Sequence, residues 1–200
     1  QAGEALTPVD VVKFAAAFGT WVLQTTGNNT IIVGRDARLS GDMVNKLVCA
    51  TLQGLGINVV DPGLSTTPTV EMAVPDYRAG GGIILTASHN PKQWNALKLL
   101  NRKGEFISDA EGKLVLELAD KEAFEFAQVN DLGKYQRDEE ALQKHIDAIL
   151  ALPLVDVDAI REKDFSVAID CVNSSGGIAI PMLLEALGVH KVEKLFCEPD

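Results

Sequence analysis

Cysteine is scarce in this chain, and its few positions form no recognisable pattern. The three cysteines, Cys49, Cys171 and Cys197, are far apart in apolar stretches, and no C-x-x-C pair occurs. An odd number of cysteines at such spacing is not a disulfide framework. Because free cysteine is usually buried, we expect buried thiols in a cytoplasmic protein.

Long hydrophobic runs and an excess of positive charge are also missing. No apolar run approaches the ~20 residues of a membrane-spanning helix, and no basic-then-apolar leader opens the chain. The net charge of −10 argues against nucleic acid, because phosphate backbones are bound by clustered lysine and arginine. With 46% hydrophobic residues, the chain still has enough apolar side chains for a core. The composition predicts a soluble globular protein without a membrane or nucleic-acid partner.

Strand and helix patterns alternate along the first two thirds of the chain. Short apolar runs at residues 30–33, 57–60 and 82–85 are typical of strands buried on both faces. Between them, apolar positions recur at helical spacing. Thr7, Ser40 and Ser108 are expected to cap three of these helices, and Thr66-Thr67-Pro68 is expected to begin another. The alternation predicts an α/β fold of three layers, a mainly parallel sheet flanked by helices.

The polar stretch 128–134 is the best candidate for a domain boundary. A helical pattern over residues 138–150 follows it, and then a strand, turn and helix over residues 167–187. This later unit lacks the three-glycine dinucleotide fingerprint and the Walker lysine, so a nucleotide site is not predicted. We divide the chain into residues 1–134 and residues 135–200.

The six residues Thr86-Ala87-Ser88-His89-Asn90-Pro91 follow directly on a predicted strand. An apolar strand that ends in a tight turn is where an α/β protein presents a reactive side chain, which makes Ser88 the candidate nucleophile. Ser, His and Asn before a proline are equally common as plain turn residues that bond to their own backbone. A serine hydrolase is disfavoured, because the Gly-x-Ser-x-Gly elbow is missing.

Residues 86–98 closely resemble the active-serine loop of the α-D-phosphohexomutases, the family of phosphoglucomutase, phosphomannomutase and phosphoglucosamine mutase. Residues 34–41 resemble the family's Gly-Arg-Asp-x-Arg-x-Ser turn, and residues 63–69 are similar to its Gly-x-x-x-Thr-Pro segment. Residues 170–177 and 195–200 resemble the opening of its second domain. The matching segments span nearly the whole chain and come in the family's order.

The resemblance implies an enzyme that interconverts hexose 1-phosphates and hexose 6-phosphates through a phosphoserine and a hexose 1,6-bisphosphate. Ser88 would carry the phosphoryl group, and Lys98 would steady charge near it. His89 would either exchange a proton with the sugar or hold a position. Arg35 is a candidate ligand for the substrate phosphate, or it forms a turn with Asp36. Mg²⁺ would bind through the phosphoryl group of Ser88 and through aspartates of a loop that this sequence does not contain.

Other cationic side chains could also converge on a sugar phosphate, even in an acidic protein. The candidates are Arg35, Arg38, Lys92, Lys98 and Arg102. They are selected because lysine and arginine are the residues that bind phosphate oxygens.

The resemblance further implies that the chain is an N-terminal piece of a longer, four-domain protein. Residues 1–134 would be domain I with the phosphoserine loop, and residues 135–200 the beginning of domain II. Such a piece would be inactive by itself. The loops that distinguish glucose, mannose and glucosamine phosphates would lie elsewhere, so phosphoglucosamine mutase stays open. The alternative from another class is a non-catalytic homologue that binds sugar phosphates.

Overall fold

In the computed structural model, which describes residues 6–199, five strands form one sheet. They are β1 (Thr30–Arg35), β2 (Asn58–Leu64), β3 (Gly81–Leu85), β4 (Leu97–Leu100) and β5 (Tyr135–Arg137). Their order is β4-β3-β1-β2-β5, and only β4 runs antiparallel to its neighbour. The mainly parallel sheet is therefore confirmed. The ends of the predicted domains, residues 1–5 and Asp200, lie outside the described residues.

Helices cover both faces of this sheet, which confirms the three layers. They are α1 (Pro8–Thr26), α2 (Gly41–Gly54), α3 (Thr67–Asp76), α4 (Asp109–Asp120) and α5 (Ala141–Leu150). Ile31 and Val33 of β1 pack into the core beneath α1, α2 and α4, whereas Ile32 packs into a second core beneath α3. α5 lies against α3. Alternate side chains of β1 are thus buried on opposite faces, as expected for a parallel strand between two helix layers.

Two of the three predicted caps are present. Thr7 and Ser108 each form a reciprocal capping box. Thr66, at the predicted start of α3, also acts as a cap and accepts a hydrogen bond from the Thr69 amide. Ser40 is the exception, because it precedes α2 in a helical conformation and makes no capping bond through its side chain. Its hydroxyl instead accepts a hydrogen bond from the side-chain Nδ2 of Asn95 at 3.0 Å. Ser40 therefore does not cap α2 through its side chain, and instead connects the start of α2 to the loop after β3.

A second, smaller unit follows α5. It consists of α6 (Val157–Glu162), β6 (Ser166–Asp170), α7 (Gly176–Ala186) and β7 (Lys191–Leu195), and the two strands form a parallel sheet of their own. The sequence pattern predicts neither α6 nor β7. β5 comes directly after the proposed boundary at residue 134, yet it pairs with β2 in the first sheet. The division at that residue stays a prediction.

The connections between strands change direction at β1. α2 joins β1 to β2 across one face, and α3 joins β2 to β3 across the other, so that β2 and β3 lie on opposite sides of β1. In open α/β sheets, this reversal leaves a crevice at the carboxyl ends of the strands. The chain leaves β1 and β3 side by side there, and the Asp36 amide still donates to the Leu85 carbonyl at 3.0 Å.

No helix among residues 6–199 has both the length and the apolar character that a membrane crossing requires.

Candidate active site

Ser88 stands exposed at the crevice, three positions beyond the last residue of β3. Its φ is +52°, in the left-handed region that residues with a side chain rarely adopt. That conformation costs about 1–2 kcal/mol for a residue other than glycine. Strained residues of this kind cluster at functional sites, where the surrounding structure holds them in place. The conformation is therefore consistent with a residue that the surrounding structure holds in place.

A cleft of about 640 Å³ opens beside Ser88. Three segments line it, namely the turn after β1, the loop after β3 and the turn after β6. The lining residues are Asp36, Ala37, Arg38, Leu39, Ser88, His89, Asn90, Lys92, Val172, Asn173 and Ser174. The hydroxyl of Ser174 accepts a hydrogen bond from the Ala37 amide at 3.4 Å, which joins the second unit to the first at the cleft.

Asp36 is the centre of the polar network below the cleft. One carboxylate oxygen accepts from the Thr86 hydroxyl at 2.6 Å and from Nε of Arg38 at 3.1 Å. The other accepts from the Arg38 amide at 3.1 Å. The Thr86 hydroxyl in turn accepts from the Ser88 amide at 3.1 Å. The turn after β1 is thereby tied directly to the backbone of the serine loop.

Of the predicted catalytic residues, the structure brings Ser88 and His89 together in the cleft but does not bring Lys98 there. Nζ of Lys98 lies 5.8 Å from the centre of the Phe106 ring, within the range of a cation–π interaction. Arg35 does not line the cleft either, and its Nη1 donates to the Asp36 carbonyl at 3.1 Å. The observed contact of Arg35 is thus the turn-forming one of its two predicted roles.

Arg38 and Lys92 are the two predicted cations that do line the cleft, against the single carboxylate of Asp36. Since Asp36 is paired with Arg38, the positive charge of Lys92 is uncompensated among the lining residues. A small net positive charge suits a phosphate group. Arg102 lies outside this cleft.

Two parts of the site are not predicted from the sequence. Thr86 is predicted only as part of the loop, although its hydroxyl bridges Asp36 and Ser88. Asn173 and Ser174 are predicted to lie in a turn of the second unit, and neither they nor Val172 are predicted as neighbours of Ser88. The available signal was their place after a strand, since polar residues at the carboxyl ends of parallel strands commonly line a site.

The donor set at the cleft does not complete a magnesium site. Magnesium prefers several oxygen ligands, usually carboxylates and phosphates. The carboxylate of Asp36 is already engaged by Arg38 and Thr86. Within residues 6–199, no group of three or more His, Cys, Asp or Glu side chains could hold a metal ion. A phosphoryl group on Ser88 would provide one ligand.

Relatives of known family match the chain along its length. The family model described as phosphoglucomutase/phosphomannomutase, alpha/beta/alpha domain I, matches residues 1–126. A phosphoglucomutase/phosphomannomutase of Thermococcus kodakarensis is 36% identical over 100% of this chain and 43% of its own length. A phosphoglucosamine/phosphogalactosamine mutase of Sulfurisphaera tokodaii is 34% identical over 92% of this chain and 39% of its own length.

A solved structure agrees with these sequences. The crystal structure of a putative phosphomannomutase from Thermus thermophilus superimposes with a TM-score of 0.84 at 26% identity, over 100% of this chain and 44% of the other. The chain therefore spans 39–44% of the length of these relatives. Because the family model covers more than half of the chain and the fold agrees, the chain belongs to the phosphoglucomutase/phosphomannomutase family.

Proposed function

We propose that this chain supplies the phosphoserine region of a phosphohexomutase, an enzyme that interconverts hexose 1-phosphates and hexose 6-phosphates through a hexose 1,6-bisphosphate. The observation that carries the proposal is Ser88, exposed and held at a φ of +52° beside a cleft at the carboxyl ends of β1 and β3. Membership of the phosphoglucomutase/phosphomannomutase family supports it. Residues 1–134 would form domain I, and residues 135–200 would begin domain II.

The proposed chemistry uses Ser88 as donor and then as acceptor. In the first transfer, a sugar hydroxyl bonds to the phosphorus, the bond from phosphorus to Oγ of Ser88 breaks, and the proton of the sugar hydroxyl passes to Oγ. In the second transfer, Oγ of Ser88 bonds to the other phosphoryl group of the resulting bisphosphate, the bond from that phosphorus to the sugar oxygen breaks, and the proton returns to that oxygen. Two in-line steps thereby replace one transfer between distant positions of the same sugar.

His89 and Lys92 are placed to assist at the phosphoryl group. Both line the cleft, and both side chains are exposed. The imidazole of His89 can take the proton of the sugar hydroxyl or hydrogen-bond to the substrate. The ammonium of Lys92 can offset the charge of the phosphoryl oxygens. Lys98 keeps the same predicted role only if its side chain leaves the Phe106 ring.

Mg²⁺ is the proposed cofactor, since a divalent ion neutralises phosphoryl oxygens during transfer. The phosphoryl group of Ser88 would be its one ligand from this chain. Because Asp36 is engaged and no other cluster of ligands is found in residues 6–199, the other ligands have to come from elsewhere. By itself the chain is therefore proposed to be inactive.

The identity of the hexose stays open between glucose, mannose and glucosamine phosphates. Relatives named phosphoglucomutase/phosphomannomutase and phosphoglucosamine/phosphogalactosamine mutase match at 36% and 34% identity. A difference this small does not favour one sugar.

The three cysteines are free thiols in the structure, which favours a reducing compartment such as the cytoplasm.

The proposal is tested first by the covalent state of Ser88. The full-length protein that carries this chain should take up one phosphoryl group from glucose 1,6-bisphosphate, and peptide mapping by mass spectrometry should locate it on Ser88. Ser88→Ala should lose turnover of glucose 1-phosphate by orders of magnitude and remain folded, because the side chain is exposed. Ser166→Ala is the matched control, since Ser166 is also exposed but lies in β6, outside the cleft.

If the Lys98 side chain moves from the Phe106 ring to the phosphoryl group, Lys98→Ala should slow the reaction by roughly 10²- to 10³-fold, the effect of deleting one electrostatic stabiliser. A label on any other residue, or near-normal turnover by Ser88→Ala, would contradict the proposed function. Binding of hexose phosphates without any turnover would instead support the non-catalytic homologue.

A further inference from the structure

We infer that Arg38 is the positioning residue for Ser88, and that its guanidinium holds the serine loop by binding the loop's carbonyl oxygens. The inference depends on the proposed function for the chemical role of Ser88. It goes beyond that function, because it assigns a residue that acts through the loop and not on the substrate.

The guanidinium of Arg38 is fully used by the protein itself. Nη1 donates to the carbonyl oxygens of Pro91 at 2.9 Å and of Trp94 at 3.0 Å. Nη2 donates to those of Ser88 at 2.6 Å and of Asn90 at 2.9 Å. Nε donates to Asp36 at 3.1 Å. A guanidinium has five N–H groups, and these contacts provide five acceptors.

The loop depends on this side chain because its own structure is irregular. Residues 88–94 belong to no strand or helix, and each of them is exposed. Arg38, by contrast, has a side chain only 11% exposed. Four carbonyl oxygens converge on it, and without a cation between them their partial negative charges would face one another. A lysine ammonium has three donors at a single point, so it cannot replace the planar fork.

The peptide groups on both sides of Ser88 are fixed from the turn after β1. The Ser88 carbonyl is bound by Arg38, and the Ser88 amide is bound by the hydroxyl of Thr86. Asp36 accepts a hydrogen bond from both of these partners. The left-handed conformation of Ser88 is thus held from both ends through one carboxylate. The Cα–Cβ bond of Ser88 thereby has a defined direction at the cleft, which Ser88 lines.

Because the five donors of Arg38 all bond within the protein, Arg38 also differs from an arginine that binds the substrate. A guanidinium that bound the substrate phosphate would affect KM when it is replaced, whereas a positioning residue affects the transfer step. We therefore expect Arg38→Lys in the full-length protein to lower kcat by about tenfold or more, with KM for glucose 1-phosphate little changed. A rise in KM at unchanged kcat would overturn the inference.

The loop itself can be tested without any enzyme activity, by hydrogen exchange on the 200-residue chain. In Arg38→Lys, the amides of Ser88, Asn90 and Trp94 should exchange faster by about tenfold or more, since charged hydrogen bonds to the loop are lost. The amides of β1 and β3 should keep their rates. Arg161→Lys is the matched control, because Arg161 pairs with Asp158 on the exposed α6.

Two further variants separate the two halves of the network. Thr86→Val removes only the hydroxyl, so it should speed exchange at Ser88 while Trp94 keeps its rate. In Arg38→Ala, the amides of the whole loop should lose their protection from hydrogen exchange. Guanidinium ion at concentrations far below denaturing ones should restore this protection, whereas sodium chloride at equal ionic strength should not. Unchanged loop exchange in Arg38→Lys, with the strands intact, would overturn the inference.

Failure of the inference and failure of the proposed function give different results. If Ser88→Ala keeps its turnover while Arg38→Lys loosens the loop, the proposed function is wrong and the loop-holding role of Arg38 stands. If Ser88→Ala is inactive while Arg38→Lys has normal loop exchange and normal kcat, the role assigned to Arg38 is wrong and the proposed function stands.

Discussion

At the scale of single residues, Ser88 as a nucleophile candidate and residues 86–91 as an ordinary hydrogen-bonded turn prove to be compatible interpretations. The turn chemistry is present, since the Asn90 side chain donates to the Ala87 carbonyl at 2.9 Å and the Thr86 hydroxyl accepts from the Ser88 amide. These local bonds are also what shapes an exposed, left-handed Ser88 at the cleft. A turn built in this way holds a nucleophile candidate in place, so the local bonds do not argue against a chemical role.

His145 gives a prediction about pH. Its Nδ1 lies 3.1 Å from the Thr69 hydroxyl, where α5 packs on α3. Burial lowers the pKa of His145 from its ordinary 6.5, so the unfolded chain binds the proton more readily than the folded one. Stability should therefore fall as the pH drops through the unfolded pKa of about 6.5. Urea midpoints at about pH 7.5 and about pH 5.5 would measure this change.

The His145 prediction has a direct control. His145→Gln retains groups that can hydrogen-bond to Thr69 but cannot titrate, so the difference between the two midpoints should shrink. An equal pH dependence in both proteins would show that other groups are responsible.

At the scale of elements, β5 shows how one buried carboxylate can place a short strand. Asp61 of β2 accepts hydrogen bonds from the Tyr135 hydroxyl at 2.8 Å and from Nη1 of Arg137 at 3.3 Å. Burial, and then the bond to Asp61, raise the pKa of Tyr135 to about 12. A Cβ at Gly63 would lie 2.0 Å from the Arg137 guanidinium and would displace that side chain, and the φ of +69° at Gly63 also favours glycine. The contacts of Tyr135 and Arg137 with Asp61 therefore stabilise the pairing of β5 with β2, which three exposed residues could not maintain alone.

The amides of the sheet formed by β6 and β7 should be less protected from hydrogen exchange than those of the five-stranded sheet. A two-stranded sheet has few backbone hydrogen bonds and is marginally stable in water. Phe165 and Phe196, which flank it, are 49% and 64% exposed. We expect the amides of β6 and β7 to exchange through local opening well before those of β1 and β3, which lie inside the larger sheet. Hydrogen exchange followed by mass spectrometry would measure both sets in one experiment, and equal protection would contradict the expectation.

At the scale of the whole molecule, the cleft is an assembly of three chain segments. The turn after β1 and the loop after β3 meet because those strands are neighbours in the sheet, and the turn after β6 joins them through Ser174. The cleft lies where the strand connections reverse direction, which is the usual place for a ligand in such sheets. The phosphoserine candidate is therefore part of a site that involves both units.

We expect the isolated 200-residue chain to fold and yet show no mutase turnover. Phosphoryl transfer needs donor, metal ion and substrate held together, and this chain spans 43% of the T. kodakarensis relative. A coupled assay with glucose 1-phosphate would measure turnover, and a calorimetric titration with Mg²⁺ should show only weak binding. Measurable turnover by the 200 residues alone would show that they contain a complete site.

The sequence by itself determined the features that depend on near neighbours along the chain. The caps at Thr7 and Ser108 were predictable, because a capping residue bonds to an amide three positions away. The strand that ends just before Ser88 was predictable because its apolar run is continuous. The family resemblance belongs to the same class of information, since it is carried by short contiguous motifs.

Only the tertiary structure decided which of those segments meet. Thr86 bonds to Asp36, and Arg38 bonds to Ser88, across 50 positions of sequence, while Ser174 reaches Ala37 across 137. These contacts exist because β1 pairs in parallel with β3, and the strand order is set by how helices pack on both faces of the sheet. No local pattern specifies that order, so the sequence alone does not distinguish an arginine that binds a phosphate from one that, like Arg38, binds the loop.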